Sequence, residues 1–370
     1  MISFGPTEEQ EVVREAMREF AAKAIRPIAR DCDEKSELPE EYLQASFELG
    51  LTATQLPEAY GGGGEPRSPV TNAIVLEELA HGDATLALAA VAPSLFAFAI
   101  ADLGTEEQKR AHLPAFCGSR PHVASLALVE PDPTFDVSSL RTLAEPKGDG
   151  YVLSGSKRLV PLGLRASHFL VLARGINGDA GLGAYIVPRD AQGLRVTGPE
   201  KNLGLHALGA ASLELERVEV PAEARLGGPG GPGAADVRRL VNASRVALAA
   251  VMTGLSRAVF EYAVPYAKDR VAFGEAIARK QAIAFTLADM RIETDAMRWL
   301  VWRAAADLEH GRDATRSAQQ ARGYAAEACM KIADDGVQVL GGHGFIREHP
   351  VEMWYRNART LGVLEGAATL

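Results

Sequence analysis

The sequence predicts an α+β protein in which a sheet is set between two helical regions. Three observations carry this. Residues 1–120 repeat apolar side chains at helical spacing. Residues 121–230 break into short β-prone runs between turn residues, and residues 234–370 return to long helical periodicity. We read these as an N-terminal helical domain, a middle antiparallel β-domain and a C-terminal helical-bundle domain.

In the first region, Thr7 followed by Glu9 and Gln10 is a helix start, and EEQEVVREAMREFAAKAI continues with helical apolar spacing. The Gly61–Gly64 run and Pro66 interrupt it. VTNAIVLEELA and TLALAAVAPSLFAFAIADLG follow; the second is apolar nearly all round, which predicts burial inside the protein. In the middle region the runs are ASLALVE, YVLSGSKRLV, HFLVLAR, AYIVP, LRVTG and SLELERVEV. GDG at 148–150 and NGD at 177–179 are turn sequences between them. No helical pattern intervenes, which favours antiparallel or barrel-like pairing over βαβ units. GGPGGPG at 227–233 is the connector onward.

The best helical signal in the last region is Ile283, Leu287, Met290, Thr294, Met297, Val301, Ala304 and Leu308. Their spacing alternates between four and three, the pattern of a packing seam in a bundle. Ala-rich stretches at 243–264 and 318–335 supply small faces for close approach.

Composition narrows the function. Apolar residues make up 47% and charged ones 24%, ordinary values for a globular chain able to bury a large core. The net charge of −9 argues against nucleic-acid binding, which needs a basic face. Cys32, Cys117 and Cys329 lie far apart with no C-x-x-C pair, which argues against a zinc site or disulfide framework and fits a reducing compartment. No uninterrupted apolar run of about 18 residues stands out, so no membrane span is expected. The first residues, MISFGPTEEQEVVREAM, show no apolar signal core and are too acidic for a transit peptide, so a cytoplasmic location is expected.

Local motifs give little alone. His343 and His349 in GGHGFIREHP are spaced off one helical face with no third ligand nearby, and read as loop histidines. There is no G-x-S-x-G. GGHGFIR lacks the third glycine of a dinucleotide fingerprint and follows a helical segment rather than a strand.

Taken in order, several segments resemble the acyl-CoA dehydrogenase family over nearly the whole chain. LPEAYGGGGEP and LGTEEQKRAHLPAF are similar to its N-terminal segments. YAKDRVAFGEAIARKQAIAFTLADM matches its Y-A-x-x-R-x-x-F-G pattern with the later Gln and L-A-D-M. DDGVQVLGGHGFIREHPVE resembles its Q-x-L-G-G-x-G-F segment, and NARTLGVLEG its R-D-A … Y-E-G segment. The resemblance implies an N-terminal helical domain, a middle β-domain and a C-terminal four-helix bundle. It also implies a homotetramer with FAD at a subunit interface, α,β-dehydrogenation of an acyl-CoA, and electron transfer to an electron-transferring flavoprotein.

It implies site residues as well. Glu365 takes the position of the carboxylate base, where apolar neighbours Leu361, Val363 and Leu364 would raise its basicity and Gly366 would let substrate approach. The alternative is an ordinary glutamate near the C-terminus. Arg245 matches the arginine beside the base; the alternative is a helix-surface arginine. Arg270, Phe273 and Gln281 match contacts to the FAD of a neighbouring subunit, with Arg270 suited to the pyrophosphate. Gln338, Gly341 and Gly342 match the adenosine loop, or equally a helix end capped by glycine. Thr369 falls where the family's tail meets the cofactor.

The departures cluster at the flavin ring. The usual L-T-E-P-x-A-G-S-D reads Leu128-Val129-Glu130-Pro131-Asp132-Pro133-Thr134-Phe135-Asp136, so Val129 replaces a hydrogen-bonding threonine and Phe135 stands at the CoA entrance. The usual K-x-W-I-T-N reads Lys157-Arg158-Leu159-Val160-Pro161-Leu162. Leu159 replaces the flanking tryptophan, and Pro161 replaces a threonine with a residue lacking both hydroxyl and N–H. The two lost hydrogen bonds, at about 0.5–1.5 kcal/mol each, would weaken flavin binding. Arg356-Asn357 stands for Arg-Asp, and Ala367-Ala368-Thr369-Leu370 for the family's longer tail. The leading expectation is an FAD-dependent dehydrogenase, supported by Glu365 and Arg245. The alternatives are a flavin-weak partner subunit of a heteromeric acyl-CoA dehydrogenase, or a flavin oxidase or monooxygenase on the same fold.

Overall fold

Thr7 caps the first helix, α1 (Glu8–Phe20), through a reciprocal pair: its hydroxyl accepts from the Gln10 N–H, and the Gln10 side chain accepts from the Thr7 N–H. The computed structural model describes residues 5–132, 135–176 and 181–370. After α2 (Ala29–Lys35) and α3 (Glu40–Glu48) come α4 (Pro69–Gly82) and α5 (Ala84–Leu103), capped by Ser68 and Asp83. A second capping box, Thr105 with Gln108, opens α6 (Glu106–His112). By length and composition α5 and the later α7 (Ala234–Asp269) could cross a bilayer, contrary to the expectation that no such run stands out. Their most apolar windows are 83% and 78% buried inside the protein, so the structure uses them as core helices.

Charges inside this core are paired. Glu77 and Glu78 on α4 are buried and receive Arg257 from α7 at 2.9 and 2.5 Å. Arg298, from α8 (Gln281–Glu309), also reaches Glu77, at 2.8 Å. Burial pushes the Glu78 carboxyl up, but hydrogen bonds and charge from Arg257, then Arg18, outweigh it and hold it below its usual range. This network ties the first helical region to the last.

The strands are β1 (Ala124–Ala127), β2 (Leu143–Lys147), β3 (Gly150–Val160), β4 (His168–Gly175), β5 (Leu182–Pro188), β6 (Leu194–Thr197) and β7 (Ala211–Pro221). They lie in the order β1-β4-β2-β3-β7-β6, with β5 also on β4. Pairs β2–β3, β3–β7, β4–β5 and β6–β7 are antiparallel as expected, but β4 runs parallel to both β1 and β2. The reason is two reversals. The chain turns back at Gly148-Asp149 into β3, then again over residues 161–167, so β4 regains the direction of β2. The β2 strand (LAEPK) escapes a sequence reading because Pro146 and the charged Glu145 and Lys147 break the apolar run. The turn expected at 177–179 lies outside the described residues, as do Pro133 and Thr134. β4 is buried on both faces: Leu170 and Leu172 join the cluster around Phe96 on α5, while Phe169, Val171 and Ala173 face a second cluster with Leu213 and Val218.

Beyond the glycine-rich connector, α7 is followed by a hairpin, β8 (Val271–Ala272) and β9 (Glu275–Ala276), then by α8, α9 (Thr315–Leu340) and α10 (Val351–Leu361). The predicted seam of α8 is buried from Leu287 to Leu308, with Ile283 partly so. Its one polar member, Thr294, donates to the Met290 carbonyl at 2.7 Å and so enters the core satisfied. On α9, Gly336 admits close approach of α7: a Cβ there would stand 2.3 Å from Val259 Cγ1.

Candidate active site

Glu365 follows the end of α10 on a loop pinned to the sheet. Gly366 has φ +70°, and a Cβ there would meet Leu126 and Leu128 of the β1 region at 3.1 Å. Local packing alone therefore requires glycine at 366, whatever approaches from outside. The Glu365 side chain is 16% exposed. Arg245 on α7 donates from Nε to Glu365 Oε2 at 3.4 Å. On the opposite oxygen, Arg322 Nε of α9 stands 3.7 Å from Oε1. Both distances exceed the roughly 2.7–2.9 Å of a tight charge-assisted hydrogen bond, so the carboxylate has counter-charge on two sides without being saturated.

Arg322 is nearly buried, and its Nη2 donates to the carbonyls of Leu361, Gly362 and Leu364 at 2.9, 3.1 and 2.9 Å. Burial pushes this guanidinium down, Glu365 opposes the shift and Arg245 adds to it. The sequence reading missed Arg322. It sits in the α9 run Gln319-Gln320-Ala321-Arg322-Gly323-Tyr324, and nothing local signals that the loop at 361–364 is brought onto it. Asp136 completes the setting. Hydrogen bonds from Ser138 hold its carboxyl below the usual range, with a smaller contribution from Arg245. Phe135, beside it, is half-buried and lines a shallow pocket with Glu130, Asp132, Asp136, Ser139 and Arg141.

The three residues expected against a flavin ring offer it no side-chain donor. Val129 is 8% exposed, and its carbonyl accepts from the Arg158 N–H at 2.8 Å. Leu159 has φ +54° and gives its N–H to Glu200, whose Oε1 also accepts the Ser212 hydroxyl. Pro161 is buried, and its carbonyl accepts from the Ser125 hydroxyl at 2.6 Å. Behind them Lys157, fully buried, donates to Glu130 at 2.8 Å; burial pushes its pKa down to about 8, with Glu130 resisting. With no side-chain donor at the three positions and the Leu159 N–H already given to Glu200, their donor chemistry fits the polar edge of a flavin ring poorly.

The residues expected against the rest of the cofactor are different. Arg270, Phe273, Gln281, Gln338, Gly341 and Gly342 are all exposed, Phe273 at 95%. Among the described residues the Arg270 side chain makes no ion pair, although its backbone closes the hairpin by accepting from Ile277. An exposed guanidinium without an ion pair among the described residues and an exposed glycine turn are the residue types that fit a pyrophosphate and adenosine carried by another subunit. Thr369 is placed elsewhere: it is buried and lines two cavities that also include Phe98 of α5. His343 and His349 stack on each other at 5.4 Å, and their Nδ1 atoms pair with the hydroxyls of Tyr266 and Tyr262.

Comparison with known proteins identifies the family of the chain. Three family descriptions match in chain order: "Acyl-CoA dehydrogenase, N-terminal domain" over residues 7–119, "middle domain" over 125–218 and "C-terminal domain" over 231–369. An acyl-CoA dehydrogenase of Bacillus subtilis (strain 168) is 35% identical over 363 residues, covering 97% of this chain and 95% of the relative. The mitochondrial short-chain specific acyl-CoA dehydrogenase of Bos taurus is 33% identical, covering 98% and 88%. The solved structure of butyryl-CoA dehydrogenase from Megasphaera elsdenii superposes with a TM-score of 0.89 at 30% identity, over 99% of this chain and 96% of that one. With all three domains matched in order along nearly its whole length, the chain belongs to the acyl-CoA dehydrogenase family of FAD-dependent oxidoreductases.

Proposed function

We propose that this chain takes the α-proton of an acyl-CoA thioester onto the Glu365 carboxylate, in an α,β-dehydrogenation that yields the trans-2-enoyl-CoA. The observation that carries the reading is the enclosed carboxylate between Arg245 and Arg322, held at distances that leave it unsaturated. The guanidinium groups supply the counter-charge such an enclosed carboxylate requires. Neither competes for the proton, because arginine stays protonated. FAD, when bound, supplies the acceptor for the β-hydrogen, and the electrons continue to an electron-transferring flavoprotein.

The outer face supports an assembly of several subunits. Phe285, Ile292 and Trp299 recur every seven residues along α8 and are exposed, and Phe273 and Phe345 project near the residues suited to pyrophosphate and adenosine. This supports packing against copies of the chain or a related subunit. A second reading has its own observation. The paired segments at Val129, Leu159 and Pro161 favour a chain that lends its outer face to a flavin seated in a partner.

The test is the visible spectrum of the purified chain, followed by saturated acyl-CoAs without oxygen. A flavin spectrum that bleaches supports the first reading. Glu365→Gln should then keep the colour and lose bleaching by about 10²–10⁴-fold, the usual contribution of a positioned base. A bound flavin that no acyl-CoA bleaches would overturn the proposed reaction. A colourless chain that gains no flavin from added FAD would select the partner-subunit reading.

A further inference from the structure

We infer that Arg322 is a positioning residue for Glu365, coupling the backbone of the loop before the base to the base's own carboxylate. The inference rests on the reading of Glu365 as the proton acceptor.

The geometry is specific to a guanidinium. One end, Nη2, gathers the carbonyls of Leu361, Gly362 and Leu364, the groups left open where α10 ends. A cation at that end also faces the negative pole of the helix. The other side of the same rigid plane, Nε, is buried without a hydrogen-bond partner and faces Glu365 Oε1 at 3.7 Å. A buried N–H left unpaired is costly unless something repays it. The carboxylate stands within reach of doing so, and a small movement of Glu365 would close the bond. Arg322 therefore holds the carboxylate at a near-contact distance from which it can turn toward a substrate or back. The charged and titratable groups around the pair are Arg245 from α7, Asp136 beside Arg245, and Cys329 from α9 beside Arg322.

Lysine could satisfy the carbonyls as a point charge but has no second N–H in a fixed plane. Arg322→Lys therefore separates anchoring from carboxylate contact, while Arg322→Gln removes the charge altogether. The readout is the pH dependence of the Glu365 carboxyl stretch, isolated by infrared difference against Glu365→Gln in the purified chain, with no turnover required. Beside it stand the acid limb of kcat/KM in the flavin-loaded enzyme and the thermal midpoint.

Expected for Arg322→Gln is a displacement of the infrared titration and the acid limb to higher pH, by about one pH unit for loss of a near opposite charge. Arg322→Lys should retain most of the thermal midpoint yet lower kcat more than it raises KM. Unchanged infrared titrations in both variants, with only the thermal midpoint reduced, would overturn the inference and leave Arg322 a loop anchor. Full activity in Glu365→Gln would instead overturn the base assignment, while the infrared titration would still report whether Arg322 governs that carboxyl.

Discussion

Two regions of this chain occupy the positions expected at opposite ends of one cofactor, and they differ in unspent hydrogen-bonding capacity. On the outer face, Arg270, Gln281 and Gln338 are exposed, and Arg270 makes no ion pair among the described residues. Val129, Leu159 and Pro161 offer a ring no side-chain donor, and the Val129 carbonyl, Leu159 N–H and Pro161 carbonyl are already engaged, with Arg158, Glu200 and Ser125. A binding site needs donors that water satisfies in the free protein and a ligand satisfies in the complex. A group paired within the fold must first give up a hydrogen bond, which cancels most of the gain. Family membership thus fixes the scaffold, while the capacity to grip each end of the cofactor is set residue by residue.

The sharpest way to break this comparison is at Arg270. A charge-assisted bond is worth about 1.5–3 kcal/mol, so Arg270→Ala should loosen FAD in the assembled protein by about 10- to 150-fold. The fold should be unaffected, because the side chain is exposed and makes no ion pair among the described residues. Equilibrium dialysis against FAD, with circular dichroism as the control, measures this. Unaltered retention would mean that the outer face does not reach a cofactor.

The reverse experiment restores the other region. Val129→Thr with Pro161→Thr returns two hydroxyls and one N–H. At about 0.5–1.5 kcal/mol for each of two new bonds, FAD affinity should rise by about 5- to 150-fold in a fluorescence titration of the chain. The Lys157–Glu130 pair and the Ser125 contact to residue 161 use other atoms and remain available. No gain in affinity would show that the loss of donors is not what limits this site, and would weaken the contrast between the regions.

What could be read from the sequence follows how local the cause is. The Thr7–Gln10 capping box, the α8 seam and the turn at Gly148-Asp149 depend on neighbours within a few residues, and their signals survive in one sequence. Glu365 and Arg245 were reached only through motif resemblance, since their meeting joins residues 120 positions apart. Arg322 had no motif to announce it; its partners at Leu361 and Leu364 lie 39 and 42 residues away. Gly366 was assigned to substrate approach, yet its contacts with Leu126 and Leu128 give it a packing role no periodicity encodes. The parallel pairing of β4 was hidden for the same reason, because direction depends on the number of reversals and β2 itself was not recognised.

A third kind of polar group gives the smallest expected effect and separates burial from pairing. His112 at the end of α6 packs edge-on against His168 and Phe96, close to where the N-terminal helices meet β1 and β4. Burial pushes its pKa down to about 4 from the ordinary 6.5, and the neighbouring His168 and His122 add to the shift. Between those values the unfolded chain binds a proton that the folded chain refuses. The stability associated with the neutral ring is fully present above about 6.5 and is lost as pH falls toward 4. The ring is partly open to solvent, so the effect should be modest. His112→Gln removes the titration while keeping a polar side chain of similar reach. Urea midpoints measured at pH 7.5 and pH 5 should therefore differ less in the variant than in the parent. An equal difference in both would assign the acid sensitivity of this joint to other groups, and would mean that His112 meets enough water to take its proton without cost to the fold.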